Sequence, residues 1–446
     1  MFKKVLIACR ALPALRIMRS CRELGIKAVV PYSEADRDSL PVLLADEAIC
    51  IGPTPPILSY GNISRLLSAA EVARCDALHP GWGFLGAESE FADATITLGI
   101  AFIGPTPDSL RLLDDRLRVR ALVQGAGIPV IPGKDSVIVN PASAVKICEE
   151  LGLPCVVKAV STHLPYTRII RKEKDIEYQV RMCQAEARAR TGSDQVIIEK
   201  FLAPVRVVEI QIIADSQGNA RVINHWEILL QFRGKNLLAV SPALNIGEKE
   251  RKQLFLWACK AVAAANIKGC VTVKFLVDSS STQIPHPMYF SRFNPELTDF
   301  HSLTEMRTGI DIIEQQLKIA LAESVDGVAD MGNLAPFALA AQIYAENPEA
   351  DFEPSPGLVN DLSLPGGPGI RVDSHLYPGY NIPSDYELHI ATITASAPDF
   401  QFAQRRFLRA LLETHIQGVA TNRDFLVGII KHPDFGTGRM SWQEEP

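Results

Sequence analysis

The stretch TVKFLVDSSSTQIPHPMYFSRFNPELTDFHSLTEM, from Thr272 to Met306, reads as a strand, a turn, a second strand and a loop. Two bases, Lys274 and Arg292, fall on the two candidate strands, and an acid, Glu296, follows. Such cations can bind an anion directly, without a metal, which would leave Glu296 to act as an acid or base. Alternatively, Lys274, Arg292, Glu296 and Glu209 pair with one another and fill the cavity. His301 reads as a packed structural histidine.

The elements that would position these residues follow from hydrophobic period and turn chemistry. KKVLIAC, then ALRIMRSCRELGI up to Gly25, then KAVVPYS, read as strand, helix and strand with short connections, which implies a parallel sheet. The pattern continues through EAICIG, NISRLLSAAEVARCD, ALHPGWGFLG, SEFADATITLGI and AFIGP, giving an α/β layer. One helical stretch from Asp108 to Gln124 leads out of it, and AGIPVIPGKDSV opens a second lobe. PCVVKAV and DQVIIEKFL read as two buried strands flanking the helix DIEYQVRMCQAEARARTG. RVVEIQIIADSQGNARVINH is a hairpin turning at Ser216–Asn219, and a Pro/Gly-rich loop spans Glu346–Val372.

The 446 residues are 47% hydrophobic, ample for a packed core in two or three domains. A net charge of −6 and a pI near 5.9 favour neither nucleic acid nor an anionic membrane. The basic run RLRVRAL, Arg116 to Leu122, is expected to be a solvated helix face. The nine cysteines form no C-x-x-C pair and read as small buried hydrophobes of a reducing compartment, not as a disulfide framework or zinc site. No apolar run reaches membrane-spanning length, and the apolar patch after Met1 is too short for a signal peptide, so a cytoplasmic protein is expected.

The ordered segments SEADRDSLPVLLADEAICIGP, ALHPGWGFLGAESEFA, IAFIGPTPDSLRLLDDR, IEKFLAPVRVVEIQIIADSQGN, TEMRTGIDIIEQQLKIA and GIRVDSHLYPGYNIP resemble the biotin carboxylase component of acyl-CoA and pyruvate carboxylases, in the ATP-grasp superfamily. The resemblance implies a multidomain α/β and α+β protein. Its parts would be an N-terminal Rossmann-like domain at 1–113, an ATP-grasp region at 114–203 with a lid from about 132, and, at 204–446, the ATP-grasp core and C-terminal domain. In that family ATP and bicarbonate give carboxyphosphate, and the carboxyl passes to biotin on a carrier. This chain has no Met-Lys-Met biotinylation motif, so the carrier is expected to be a separate protein and no biotin to be attached here.

Carried over position by position, the resemblance implies a rewritten reaction centre. The lid's glycine-rich phosphate loop is matched by KAVSTHLPYTRIIRK, which has no glycine and places Pro165 where an N–H would serve. The two glutamates that hold magnesium are matched by Lys274 and Arg292, with Asn294 kept. The arginine that stabilises biotin's enolate is Glu296, the base that deprotonates bicarbonate is Phe300, and the substrate-side lysine is Asn236. Two further acids are Ala239 and Val240, and a lid-side histidine is Val207. Nucleotide-side positions persist as Arg116, Lys158 and the hinge Glu199, Lys200 and Leu202. Arg371 persists on the bicarbonate and biotin side, though a salt-bridge role would explain it equally. Arg19, Glu23 and Arg406 match a dimer interface, Arg19 and Glu23 being also an i,i+4 pair.

The expectation is a catalytically degenerate structural or regulatory subunit of an acyl-CoA (acetyl-CoA) carboxylase system, of the kind that serves fatty acid synthesis. It would form a homodimer, or a heterodimer with an active biotin carboxylase, and would meet a biotin carboxyl carrier protein and a carboxyltransferase. No cofactor is expected: at most weak ATP binding, no Mg²⁺ and no metal site. The alternatives are an active ATP-dependent ligase with an altered, metal-independent site, and a nucleotide sensor without turnover.

Overall fold

Five short strands near the N-terminus, β1 (Lys4–Ile7), β2 (Lys27–Ser33), β3 (Glu47–Gly52), β4 (Ala77–His79) and β5 (Ala101–Phe102), form a parallel sheet in the order β3-β2-β1-β4-β5. Helix α1 (Ala11–Glu23) buries its apolar stripe, including Leu15, Ile17, Met18 and Cys21, against this sheet. The structure, a computed structural model, describes residues 1–162, 167–281, 283, 285–327, 337–437 and 442–443.

The single helix expected over 108–124 is two, Pro107–Asp114 and Arg116–Gly125. Asp115 takes an extended conformation between them, and its carboxylate accepts from the N–H groups of Leu117 and Arg118, which caps the second helix. A separate three-stranded sheet holds β6 (Cys155–Ala159), β7 (Thr167–Ile170) and β8 (Val196–Lys200), paired antiparallel in the order β7-β6-β8. Helices Ser143–Leu151 and Ile176–Thr191 pack onto it around Ile147, Val180 and Cys183. β7 lies within the stretch matched to the phosphate loop, where no strand is expected from the sequence; Pro165 itself falls outside the described residues.

A nine-stranded sheet forms the body. Its order begins with β13 (Met288–Asn294), β12 (Gly269–Asp278), β9 (Val205–Ala214), β10 (Ala220–Phe232), β11 (Lys235–Ser241) and β14 (Phe337–Tyr344). It continues through His389–Ala397 to Ile370–Ser374, and the ninth strand, Trp442–Gln443, lies off this path, parallel to β10. The β9–β10 hairpin turns where the sequence places it, with the Asp215 carboxylate accepting from the N–H groups of Gln217 and Asn219. β10 and β11 join through Arg233 and Gly234, both at positive φ, as a two-residue hairpin loop requires.

Strand alternation decides which side chains meet. Val271, Val273, Phe275 and Val277 of β12 face a core shared with Val208, Ile210 and Ile212 of β9. Lys274 and Glu209 therefore fall on the opposite face. In β13 the core residues Phe290 and Phe293 are three apart, which breaks the period of two. A register shift between Lys274 and Phe275 absorbs the extra residue, so both rings stay in the core while Arg292 pairs across from Lys274.

Candidate functional site

Lys274 has two cross-strand neighbours, Arg292 on β13 and Glu209 on β9. The mutual pairing offered as one reading does not form. The side chains of Lys274 and Arg292 make no hydrogen bond or ion pair with any described residue, and Arg292 Nε is buried without a partner. One oxygen of Glu209 accepts from Trp226 Nε1 at 2.9 Å, and the other is buried and unbonded. Burial, reinforced by Arg292, pushes the Lys274 ammonium down to about 8. Two adjacent cations are not themselves ligands for a divalent metal.

Beside them lies a cleft lined by Arg116, Arg120, Lys158, Glu199 and Arg292. The basic run expected to be solvated is so only at Arg118. Arg116 donates from Nε to the Ala159 carbonyl at 2.9 Å, and Arg120 is buried. Spaced i,i+4, Arg116 and Arg120 share one helix face, a signal present in the sequence but not used there. Glu199 receives Lys158 Nζ at 2.8 Å and Arg120 at 3.2 Å. Burial opposes its ionisation, but Lys158, Arg120 and Arg116 outweigh that and hold the carboxyl below its usual range. Burial, then Arg292, lowers the Arg116 guanidinium to about 10. At the positions matched to the hinge, Lys200 Nζ donates to the Gly152 carbonyl at 2.7 Å and the Phe201 N–H to the Pro154 carbonyl at 3.1 Å, with Leu202 half-buried alongside.

The positions matched to reacting groups converge elsewhere. Phe300, 1% exposed, packs with Val207, Ala239, Trp226, Ile228, Leu303, Ala338 and Ala340 in one buried cluster. Asn236 accepts from Gln231 Nε2 at 2.6 Å. Glu296 lies against Gly86, where an added Cβ would come 2.8 Å from Glu296 Cβ. Asn294 ends β13, half-buried and opposite Thr272.

Arg371 is held within a charge network. Its guanidinium meets Glu305 at 2.5 Å and Asp373 at 2.8 Å, and Glu305 also meets Arg16 of α1 at 2.6 Å. His301 is buried beside this network, 5.3 Å from the Trp82 ring, and burial lowers its pKa. The geometry is that of the salt-bridge and packed-histidine readings. Among the dimer positions, Arg19 and Glu23 are both exposed. Arg19 approaches Asp373 at 4.0 Å, not Glu23, and Arg406 donates to the Ser396 carbonyl.

Asp299 was not singled out from the sequence. Burial, then the neighbouring Glu387, raises its carboxyl to about 7, with Glu296 and Glu209 adding repulsion. An acid whose folded pKa is raised contributes stability that is present below about pH 4 and lost as pH rises through about 7. Asp299→Asn is therefore expected to melt with wild type at pH 4 and above it at pH 8. A melting-temperature difference independent of pH would refute the assignment.

The chain matches the family models described as "Biotin carboxylase, N-terminal domain" over residues 1–110, "Carbamoyl-phosphate synthase L chain, ATP binding domain" over 115–328 and "Biotin carboxylase C-terminal domain" over 340–443. It is 38% identical over 440 residues to biotin carboxylase of Haemophilus influenzae, spanning 98% of this chain and 97% of that protein. The Campylobacter jejuni biotin carboxylase–β,γ-ATP complex superposes with a TM-score of 0.93 at 34% identity, covering 99% of this chain and 98% of that one. The biotin carboxylase domain dimer of Hydrogenobacter thermophilus 2-oxoglutarate carboxylase, solved with MgADP, ADP and bicarbonate, superposes with a TM-score of 0.94 at 31% identity, covering 99% and 96%.

These complexes overturn the expectation of no cofactor and no Mg²⁺. Proteins of this fold and this degree of identity hold β,γ-ATP and MgADP. The expectation rested on the two replaced carboxylate positions and on the missing glycines of the phosphate loop, whereas a nucleotide is held by many groups, backbone included, and carries a metal on its own phosphates. The chain belongs to the biotin carboxylase family.

Proposed function

We propose that this chain is a component of a biotin-dependent acyl-CoA carboxylase system. It would bind magnesium nucleotide in the cleft, as its relatives do, without carrying out biotin carboxylation, and its role would be structural or regulatory. The apolar cluster around Phe300 is the observation that supports this. Val207, Ala239 and Phe300 stand where the resemblance places a histidine, an acid and the bicarbonate base, and together they close one packed volume with Trp226 and Ile228. A phenyl ring exchanges no proton, and dry aliphatic walls stabilise no enolate. Partners in this reading are a second copy or an active biotin carboxylase, met through the exposed face of α1 that carries Arg19 and Glu23, together with a carrier protein and a carboxyltransferase.

A second reading, an ATP-dependent biotin carboxylase using altered groups, is favoured by the relatives, several of which carry the name biotin carboxylase at 36–38% identity over nearly the whole chain. One assay separates the two. Purified protein with MgATP, bicarbonate and free biotin is expected to release ADP no faster than a control lacking bicarbonate. Bicarbonate-dependent ADP release establishes the second reading and ends the first.

A further inference from the structure

Three neighbours set Cys155 apart. It opens β6 directly across from Lys200 of β8, and both side chains donate to the Gly152 carbonyl, Cys155 Sγ at 3.4 Å and Lys200 Nζ at 2.7 Å. The third neighbour is Cys148, in the last turn of the helix Ser143–Leu151. Only the turn Gly152–Pro154 separates that helix from β6. The chain folds back there, so both cysteines enter one core with Val157, Val180 and Ile198, their thiols within hydrogen-bonding reach of each other. The hydrogen bond from Cys148, helped by Lys200, holds the Cys155 thiol below its ordinary range against burial. The same bond, with burial, pushes Cys148 up. A thiolate beside a second thiol that can resolve it is the arrangement of a two-electron redox pair. Strand alternation puts Cys155 and Lys200 on the sheet face that the helices cover, opposite Lys158 and Glu199, so the pair lies outside the cleft.

We infer that Cys148 and Cys155 form a modification site at which hydrogen peroxide converts the two thiols into a disulfide. The Cys155 thiolate attacks one peroxide oxygen, the O–O bond breaks, hydroxide leaves and Cys155 becomes a sulfenic acid. The Cys148 sulfur then attacks the Cys155 sulfur. The S–O bond breaks, the S–S bond forms, and water departs with the proton of Cys148. The hydroxide takes up the proton that Cys155 first gave to solvent, so two thiols and one peroxide yield one disulfide and two waters. Both sulfurs are buried, Cys155 0% and Cys148 1% exposed, beneath the half-buried turn Gly152–Pro154. The site therefore favours a small oxidant, admitted when that turn opens. The product staples the end of the helix to the start of β6, and a dithiol reductant reverses it by exchange. No part of this depends on nucleotide binding or carboxylation.

The test uses the full chain carrying Cys50→Ser, which removes an exposed thiol. Reduced protein is treated with hydrogen peroxide, the remaining thiols are alkylated in urea, and the tryptic peptide Ile147–Lys158, which holds both cysteines, is weighed. It is expected to be two hydrogens lighter than the reduced peptide, free of alkyl groups, and restored by dithiothreitol. Adding Cys148→Ser should halt the reaction at the sulfenic acid, so that Cys155 takes up dimedone. Adding Cys155→Ser instead should leave Cys148 several-fold less labelled. Should either variant fail to fold, the mass of the peptide from the chain with both cysteines still decides. The inference is overturned if both cysteines of that peptide remain alkylated, if added oxygens replace the disulfide, or if either sulfur pairs with Cys183 of the same core. Equal dimedone labelling of the two variants overturns it as well, because Cys155 would then not be the attacking thiol.

Discussion

Phe300→Glu is expected to lower folding stability by about 4 kcal/mol or more and to leave carboxylation absent. Removing a fully buried phenyl ring costs roughly 3–5 kcal/mol through lost packing alone. The incoming carboxylate would sit among the apolar side chains of Val207, Trp226, Ile228, Ala239 and Leu303. It must therefore stay protonated or force the cluster open. Urea denaturation of the variant measures the loss, and the bicarbonate-dependent ADP assay shows whether restoring a carboxyl at this one position restores chemistry. A variant of wild-type stability would mean that water or a polar partner reaches position 300, and the closed-volume explanation would fall. Turnover in the variant would show that one residue separates this chain from an active relative.

The second large effect is expected at Glu305, 6% exposed at its side chain, which joins Arg16 of α1 to Arg371. Glu305→Gln keeps the shape and removes the charge. It leaves two largely buried guanidiniums facing each other, with Asp373 and Asp311 as their remaining counter-charges. Breaking a buried pair from one side costs about 3–5 kcal/mol. Burial opposes ionisation of Glu305, but His301, Arg16 and Arg371 hold its carboxyl below the ordinary range. Its contribution is thus present above that range and lost as pH falls through the folded pKa, so the gap between wild type and Glu305→Gln should close in acid. Adding Arg371→Met to Glu305→Gln should cost less than the sum of the single changes, because the second removes a charge that the first left stranded. Additive losses, or a gap unchanged at low pH, would mean that Arg371 does not depend on Glu305. A bound Arg371 has a functional consequence too: a guanidinium held by two carboxylates is less available to an incoming anion.

Nucleotide binding in this fold does not hang on two side chains. Lys274, Arg292 and the glycine-free stretch matched to the phosphate loop pointed to the end of magnesium and nucleotide binding only as long as a distributed site was reduced to those positions. Solved relatives of this fold hold β,γ-ATP and MgADP. What the pair does mark is two like charges side by side on neighbouring strands.

Local patterns were legible in the residue order because they rest on short-range geometry. The parallel N-terminal sheet, the hairpin at Asp215–Asn219 and the Val273–Phe275–Val277 alternation follow from strand period, turn residues and the length of crossover helices. The family was legible for a related reason: its motifs lie in contiguous blocks. Reading helices by period alone missed Asp115, because its cap works through a side chain bonding nearby backbone. Only the folded chain could show that Val207, Ala239 and Phe300, far apart in the sequence, share one dry cluster. The same holds for Arg371 spending its donors on Glu305 and Asp373, for Arg120 turning into the cleft, and for Lys274 standing beside Arg292 with no described acid bonded to either. Residue type determined which charges and shapes exist. The tertiary structure decided which of them are neutralised, because compensation requires atoms within a few ångströms and sheet register alone brings these distant segments that close.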